Sequence, residues 1–290
     1  MIVLQLFIQG LAVGSLYALA AVGFALIYAT TRTFHFAHGG TMLLCAYAFY
    51  QTTAAWHWPV ALGLLAALAV AVAFGVGVDR FVYQPMRRTE ASFLTIFAAS
   101  FGLLIVATNV VALIFGSSFY TLSSPLSRGF LLGPVLISRA NLLSAACAIV
   151  LIVLLQWFIR KTRTGVVLRA MMDDPALVRL FGLGDRRYSA AAFLIGSALM
   201  VPTAVLMTYT SGLQPSMGAV ITLVAIAGAI VGGIGNLWGA ALGGLLLGVA
   251  ENVGVWQLSS SWKPAITFGV LLLFLMVKPA GLLATRSRRS

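Results

Sequence analysis

Residues 4–29 carry no charged side chain, and stretches of this kind constrain the fold more than any motif in the chain. About 20 consecutive apolar residues cross the hydrocarbon core of a bilayer as a helix. Further apolar runs follow at residues 34–56, 60–78, 92–115, 141–159, 189–210, 217–255 and 264–277. Hydrophobic residues make up 61% of the 290 positions and charged residues 8%, where a soluble domain carries about a quarter charged residues. A soluble fold of this size could not cover so much apolar surface. The expected class is therefore an all-α polytopic membrane protein of about 8–9 transmembrane helices, forming one transmembrane domain over residues 1–290. The N-terminus lacks a basic start and a small-residue cleavage site, so it reads as a first span and not as a removed signal.

Two places predict broken or re-entrant helices. One is FHFAHGG at residues 34–40, where Gly39 and Gly40 either let a helix turn beside a pathway or simply pack. The other is GGIGNLWG at residues 232–239, which divides a stretch too long for one helix. Gly10 and Gly14 form a GxxxG pair, a pattern that favours close helix contact. Pro202, inside a span, is an expected kink.

The net charge of +12 raises nucleic acid as a partner, but its placement argues against that. Fifteen of the eighteen basic residues fall at Arg32, at residues 80–90, at residues 160–187 and from Lys278 onward. Arg128, Arg139 and Lys263 remain for the other side. Short loops enriched in Lys and Arg face the cytoplasm. This places the N-terminus outside and the C-terminus inside, with about nine crossings.

Enzyme chemistry finds no support. The three histidines are too scattered for an evident zinc site. Cys45 and Cys147 sit in apolar runs and read as packing residues, with neither disulfide nor metal expected. A Walker loop needs Gly immediately before Lys, whereas Arg160, Trp262 and Val277 precede the three lysines. No cofactor site is expected in this chain, so ATP-driven work would require another subunit.

The longest polar interruption, residues 160–187, holds seven of the eighteen basic and three of the six acidic residues. Arg160, Lys161 and Arg163 mark the membrane face, and residues 165–172 suit a short interfacial helix. Asp173 and Asp174 precede Pro175, a capping residue before the favoured first helical position. A helix then runs through Ala176, Leu177, Val178, Arg179, Leu180 and Phe181 to a closing Gly182. Leu177, Leu180 and Phe181 form one apolar stripe, which either seats in a partner's groove or folds back on the chain's own membrane domain.

Polar residues inside apolar runs are candidate pathway groups. His35 and His38, with Phe34 and Phe36 beside them, either serve transport or rest at the cytoplasmic surface bonded to backbone. Glu251 either meets a substrate amine or a partner's Arg, or lies at the outer mouth as a structural pair. Asn236 and Trp238 either line a cavity or form a plain turn.

Several motifs then carry a resemblance. GSLYALAAVGFALIY (residues 14–28) followed by FHFAHGG is similar to the first span and INFAHG-like motif of the LivH-type permeases of branched-chain amino-acid ABC importers. DDPALVRLFGL is similar to the coupling helix of that family, residues 224–251 echo its Gly-rich VAIVGG and LGGxLLGxxE patterns, and KPAGLL (residues 278–283) its exit motif. The resemblance covers nearly the whole chain. It implies a second homologous permease subunit, two cytoplasmic ATP-binding subunits carrying ATP and Mg, and an extracytoplasmic substrate-binding protein. It implies localisation in the bacterial inner membrane and a coupling helix at Asp174–Gly182. The cargo expected is branched-chain or other hydrophobic amino acids. Phe34-His35 stands where Ile-Asn is usual, which leaves urea, short amides or aromatic acids open as cargo. An ATPase-independent channel or secondary transporter is the other class, and it would need a coupling-ion site where the spans offer only Glu251.

Overall fold

The computed structural model describes residues 2–122, 129–132, 135–182 and 185–283. The helices are α1 (Ile2–Thr31), α2 (His38–Tyr50), α3 (Val60–Val78), α4 (Gln84–Arg88), α5 (Phe93–Phe115), α6 (Arg139–Lys161), α7 (Arg163–Asp173), α8 (Pro175–Leu180), α9 (Asp185–Thr210), α10 (Met217–Gly232), α11 (Leu237–Gly254) and α12 (Lys263–Val277). Single π-turns extend α2 (Gln51–Ala55) and join α3 to α4 (Asp79–Tyr83). Among the described residues, seven helical segments are long and apolar enough to cross a membrane, and α10 is a shorter apolar helix. These seven segments and α10 agree with the expected count of about eight to nine, and α2 with its π-turn is a further helix that runs between the same two ends among the described residues.

The passes alternate between two ends. At one end Arg32 donates to the Met172 carbonyl and Arg87 reaches Thr33 and Ser189. At the other, Gln5 pairs with Leu136, Tyr120 bridges to Leu213, and Lys263 donates to Asn252. The loops rich in basic residues thus share one end.

α1 is the centre of the bundle, and from Leu16 to Leu26 it is almost wholly buried. Its GxxxG pair acts as the motif predicts. A Cβ on Gly248 of α11 would lie 2.2 Å from the Gly14 Cα, and one on Gly14 2.6 Å from the Leu245 carbonyl. Absent side chains let the two backbones touch, which in lipid replaces hydrophobic drive with dispersion contact. Pro202 lies inside α9, and the next residue, Thr203, donates to the Leu16 carbonyl.

One element was not expected. The segment between α5 and α6 carries an antiparallel hairpin, β1 (Gly129–Leu132) and β2 (Val135–Ser138), with Gly129 opposite Ser138. Gln5 closes the β2 edge, accepting from the Leu136 N–H at 2.9 Å and donating to its carbonyl at 2.8 Å. A backbone outside the helical spans needs its polar groups paired too, and a side-chain amide supplies the geometry of a third strand.

Candidate functional site

The chain leaves helical geometry at Arg32, where φ is +54°, and resumes it only at His38. Residues 32–37 therefore lie as irregular backbone among buried helices. At membrane depth such backbone persists only where protein groups satisfy it. Ser100 of α5 supplies that, accepting from the N–H groups of Phe36 (2.6 Å) and Ala37 (3.3 Å), and Thr222 of α10 donates to the Phe36 carbonyl at 3.3 Å. The break expected at residues 34–40 is thus a non-helical entry of chain into the bundle, followed by a short helix.

His35 and His38 are fully buried. His38 Nε2 lies 3.2 Å from the Ala20 carbonyl, which can only accept, so this nitrogen carries the proton. His35 Nδ1 meets the Tyr83 hydroxyl at 3.0 Å. The rings are 5.6 Å apart, with Phe193 5.0 Å from His35. His35 Nε2 and His38 Nδ1 find no protein partner among the described residues. Phe34 packs edge-on against Tyr28 and Phe93, and Phe36 against Phe97 and Phe101. Gly39 is a close-approach position: a Cβ there would sit 1.9 Å from the Gly218 carbonyl of α10. Gly40 faces Ala107 of α5.

The polar segment folds as two short helices. Thr162 caps α7 through the Gly165 N–H at 3.0 Å, and Gly165, Leu168 and Met171 are buried. Asp173 ends α7, exposed Asp174 is the extended joint, and α8 runs from Pro175. Gly182 has φ of +70°, the left-handed closure that glycine favours. The side chains of Ala176, Leu177 and Arg179 lie outside the described residues, so the stripe is judged on the rest. Val178 is 4% exposed, turned to the bundle, while Leu180 is 83% and Phe181 74% exposed.

A buried ion pair ties the start of α9 to this region. Arg87 meets the fully buried Asp79 at 2.6 Å and Ser189 at 2.8 Å. Ser189 and Gln84 also donate to Asp79, at 2.8 and 2.7 Å. Arg87 reaches Thr33, two residues before His35. A continuous set of polar contacts thus runs from the helix after α8 to the 32–38 segment.

Glu251 of α11 is buried at the opposite end. It accepts from Tyr17 of α1 at 2.9 Å and from Thr267 of α12. Beside it lies a cavity of about 110 Å³ that also touches Lys263 and Phe268. Lys263 borders a second, polar cavity of about 360 Å³, walled by Gln9, Asn141, Tyr209 and Asn252. Sequence reasoning named Glu251 but missed Lys263, Asn252 and Tyr17. The available signal was Lys263, one of only three basic residues on the minority side. Asn236 and Trp238 stand apart from this group. Asn236 accepts from the Gly239 N–H at 3.0 Å, capping α11, and donates to the Leu283 carbonyl at 2.8 Å. Trp238 is exposed.

A family model described as the branched-chain amino acid transport system / permease component matches residues 6–277. The branched-chain amino-acid permease protein LivH of Salmonella typhimurium is 31% identical over 97% of this chain and 95% of its own. BraD of Pseudomonas aeruginosa is 33% identical over the same shares. The fold is similar to PsaBC from Streptococcus pneumoniae in complex with Fab, with a TM-score of 0.55 and 12% identity, covering 95% of this chain and 91% of that one. With that match across residues 6–277 and such relatives over nearly its whole length, the chain belongs to the family of branched-chain amino-acid transport system permease components.

Proposed function

We propose that this chain is a permease subunit of an ATP-driven importer in the bacterial inner membrane, and that it moves zwitterionic hydrophobic amino acids, the branched-chain ones first. Residues 1–290 act as one transmembrane domain. The basic end faces the cytoplasm, with the N-terminus outside. A second permease subunit completes the pathway, two ATP-binding subunits with ATP and Mg dock from the cytoplasm, and an extracytoplasmic binding protein delivers cargo.

The observation that carries the coupling assignment is the split, among the described side chains of residues 178–181, between buried Val178 and exposed Leu180 and Phe181. Val178 holds the helix to the bundle, and Leu180 and Phe181 are left for a partner's groove. Closure of the ATPases then displaces α8 and, through it, the start of α9. The Asp79–Arg87–Ser189 contacts pass that shift to residues 33–38.

Cargo recognition is assigned to the other end. Glu251 and Lys263 offer opposite charges beside the smaller cavity, and Lys263 also borders the larger one. An α-amino acid presents an ammonium and a carboxylate, and both find a partner there. Urea or a short amide carries no charge of its own and would meet these groups only through single-charge hydrogen bonds, without an ion pair. The apolar wall at Phe268 and Val224 suits an aliphatic side chain.

Replacing Leu180 and Phe181 together by Asp tests the coupling reading. The ATP-binding subunits are expected to drop out of the purified complex while the permease keeps its elution profile. Undiminished co-purification would overturn it.

A further inference from the structure

A third polar cavity lies outside both regions. It is about 490 Å³ and opens at the basic end between the α3–α4 connection and the start of α9. Arg80 and Arg88 come from one segment and Arg186 and Arg187 from another, about a hundred residues away in sequence. The two segments are tied together by Gln84, which donates both to Asp79 and to the Arg186 carbonyl. All four arginines are exposed. Among the described residues none of the four forms an ion pair, and nearby Asp79 is engaged by Arg87. Four guanidiniums without an ion pair among the described residues, converging from two segments, exceed what a charge bias in loops requires.

The floor of the cavity is different in kind. Val76 lies one helical turn before Arg80, and Ala190 one turn after Arg186, so both walls become apolar on the membrane side. Phe81, 76% exposed, stands at the rim, where an aromatic ring suits the membrane interface. A basic rim over an apolar floor matches a ligand with an anionic head and an apolar tail. Basic pockets between spans on the cytoplasmic side bind lipid phosphates in this way. Arginine's planar fork suits a phosphate's paired oxygens.

We propose that this pocket is a binding site for an anionic phospholipid of the inner leaflet, bridging the α3–α4 connection to α9. The leaflet rests on the orientation given above, while the chemistry of the site does not. An acidic surface of an ATP-binding subunit would satisfy the arginines but leave the apolar floor without a counterpart.

The test uses the full transporter complex purified in mild detergent, with bound lipid read by native mass spectrometry. Cardiolipin, phosphatidylglycerol, phosphatidylcholine and inorganic phosphate are the added probes. The wild type is expected to retain a phosphate-bearing anionic lipid and to melt at a higher temperature with added cardiolipin. Arg80→Ala with Arg187→Ala should bind it roughly twentyfold to thirtyfold more weakly, and Arg139→Ala, at the opposite end, as the wild type does. The milder Arg80→Gln with Arg187→Gln serves if the alanine pair does not fold. Equal retention of phosphatidylcholine, displacement by millimolar inorganic phosphate, or unchanged retention in the folded variant would each overturn the proposal. So would a variant that keeps its lipid and loses the ATP-binding subunits. Labelling of Thr89→Cys by a membrane-impermeant maleimide reads the orientation separately, so that its failure is not mistaken for failure of the site.

Discussion

Ser100 accepts two backbone N–H groups from a segment 64 residues away in sequence. Its replacement by Ala leaves the buried Ala37 N–H without a partner and the Phe36 N–H with only its 3.3 Å contact to the Phe34 carbonyl, at a cost of about 1–3 kcal/mol. Thermal unfolding in detergent should show a clear drop in midpoint for Ser100→Ala, and a surface serine such as Ser260 should give none when changed likewise. Glu251 supports a second expectation at this scale. Glu251→Gln keeps the size and the acceptor for Thr267 but removes the charge, so the fold should survive while leucine uptake falls at least tenfold. Uptake equal to wild type would remove Glu251 from cargo recognition. Residues of this kind differ in how far sequence reveals them. Glu251, His35 and His38 stand out as polar groups in apolar runs. Ser100 does not, because serine is common in such spans and its role comes from a partner brought close only by folding. Asn236 was ambiguous for the opposite reason: its cap onto the Gly239 N–H is local, but nothing local distinguishes a cap from a cavity wall.

At the scale of elements, glycine sets the spacing of α1, α10 and α11. Gly14 and Gly248 touch backbone to backbone. Gly248→Leu should push α1 from α11 and destabilise the bundle by at least about 1–3 kcal/mol, the usual cost of overpacking. A lower melting temperature with loss of the monodisperse species is the expected readout, while Gly102, with open space around its Cα, should accept Ala without such loss. The Asp79–Arg87 pair provides another test. Asp79→Ala strands a guanidinium that is largely buried, and breaking such a pair costs about 3–5 kcal/mol. The KPAGLL ending has a structural explanation as well. The Leu282 and Leu283 N–H groups donate to the Val231 and Gly232 carbonyls at 2.9 and 3.0 Å, closing the open end of α10. Helix positions were legible because apolar runs and caps are local signals. The β1–β2 hairpin was not, since its edge is completed by Gln5, more than a hundred residues earlier.

For the whole molecule, the proposed function divides the work between the two ends. One presents the apolar side chains of α8, and the other holds Glu251 and Lys263 beside polar cavities. The all-α class and the separation of basic loops followed from composition and run length, because a bilayer leaves a chain few alternatives. Which helices surround α1, and where its polar partners sit, depended on close packing between distant segments and was not legible. The proposed division of ends predicts an energised importer and not a channel. The direct measurement is uptake of labelled leucine into proteoliposomes holding the complete complex, with binding protein and leucine outside and ATP sealed within. Accumulation above the external concentration is predicted with ATP, and none without it or with Leu180 and Phe181 both replaced by Asp. Equilibration of leucine at the same rate with and without ATP, untouched by that double replacement, would contradict the account.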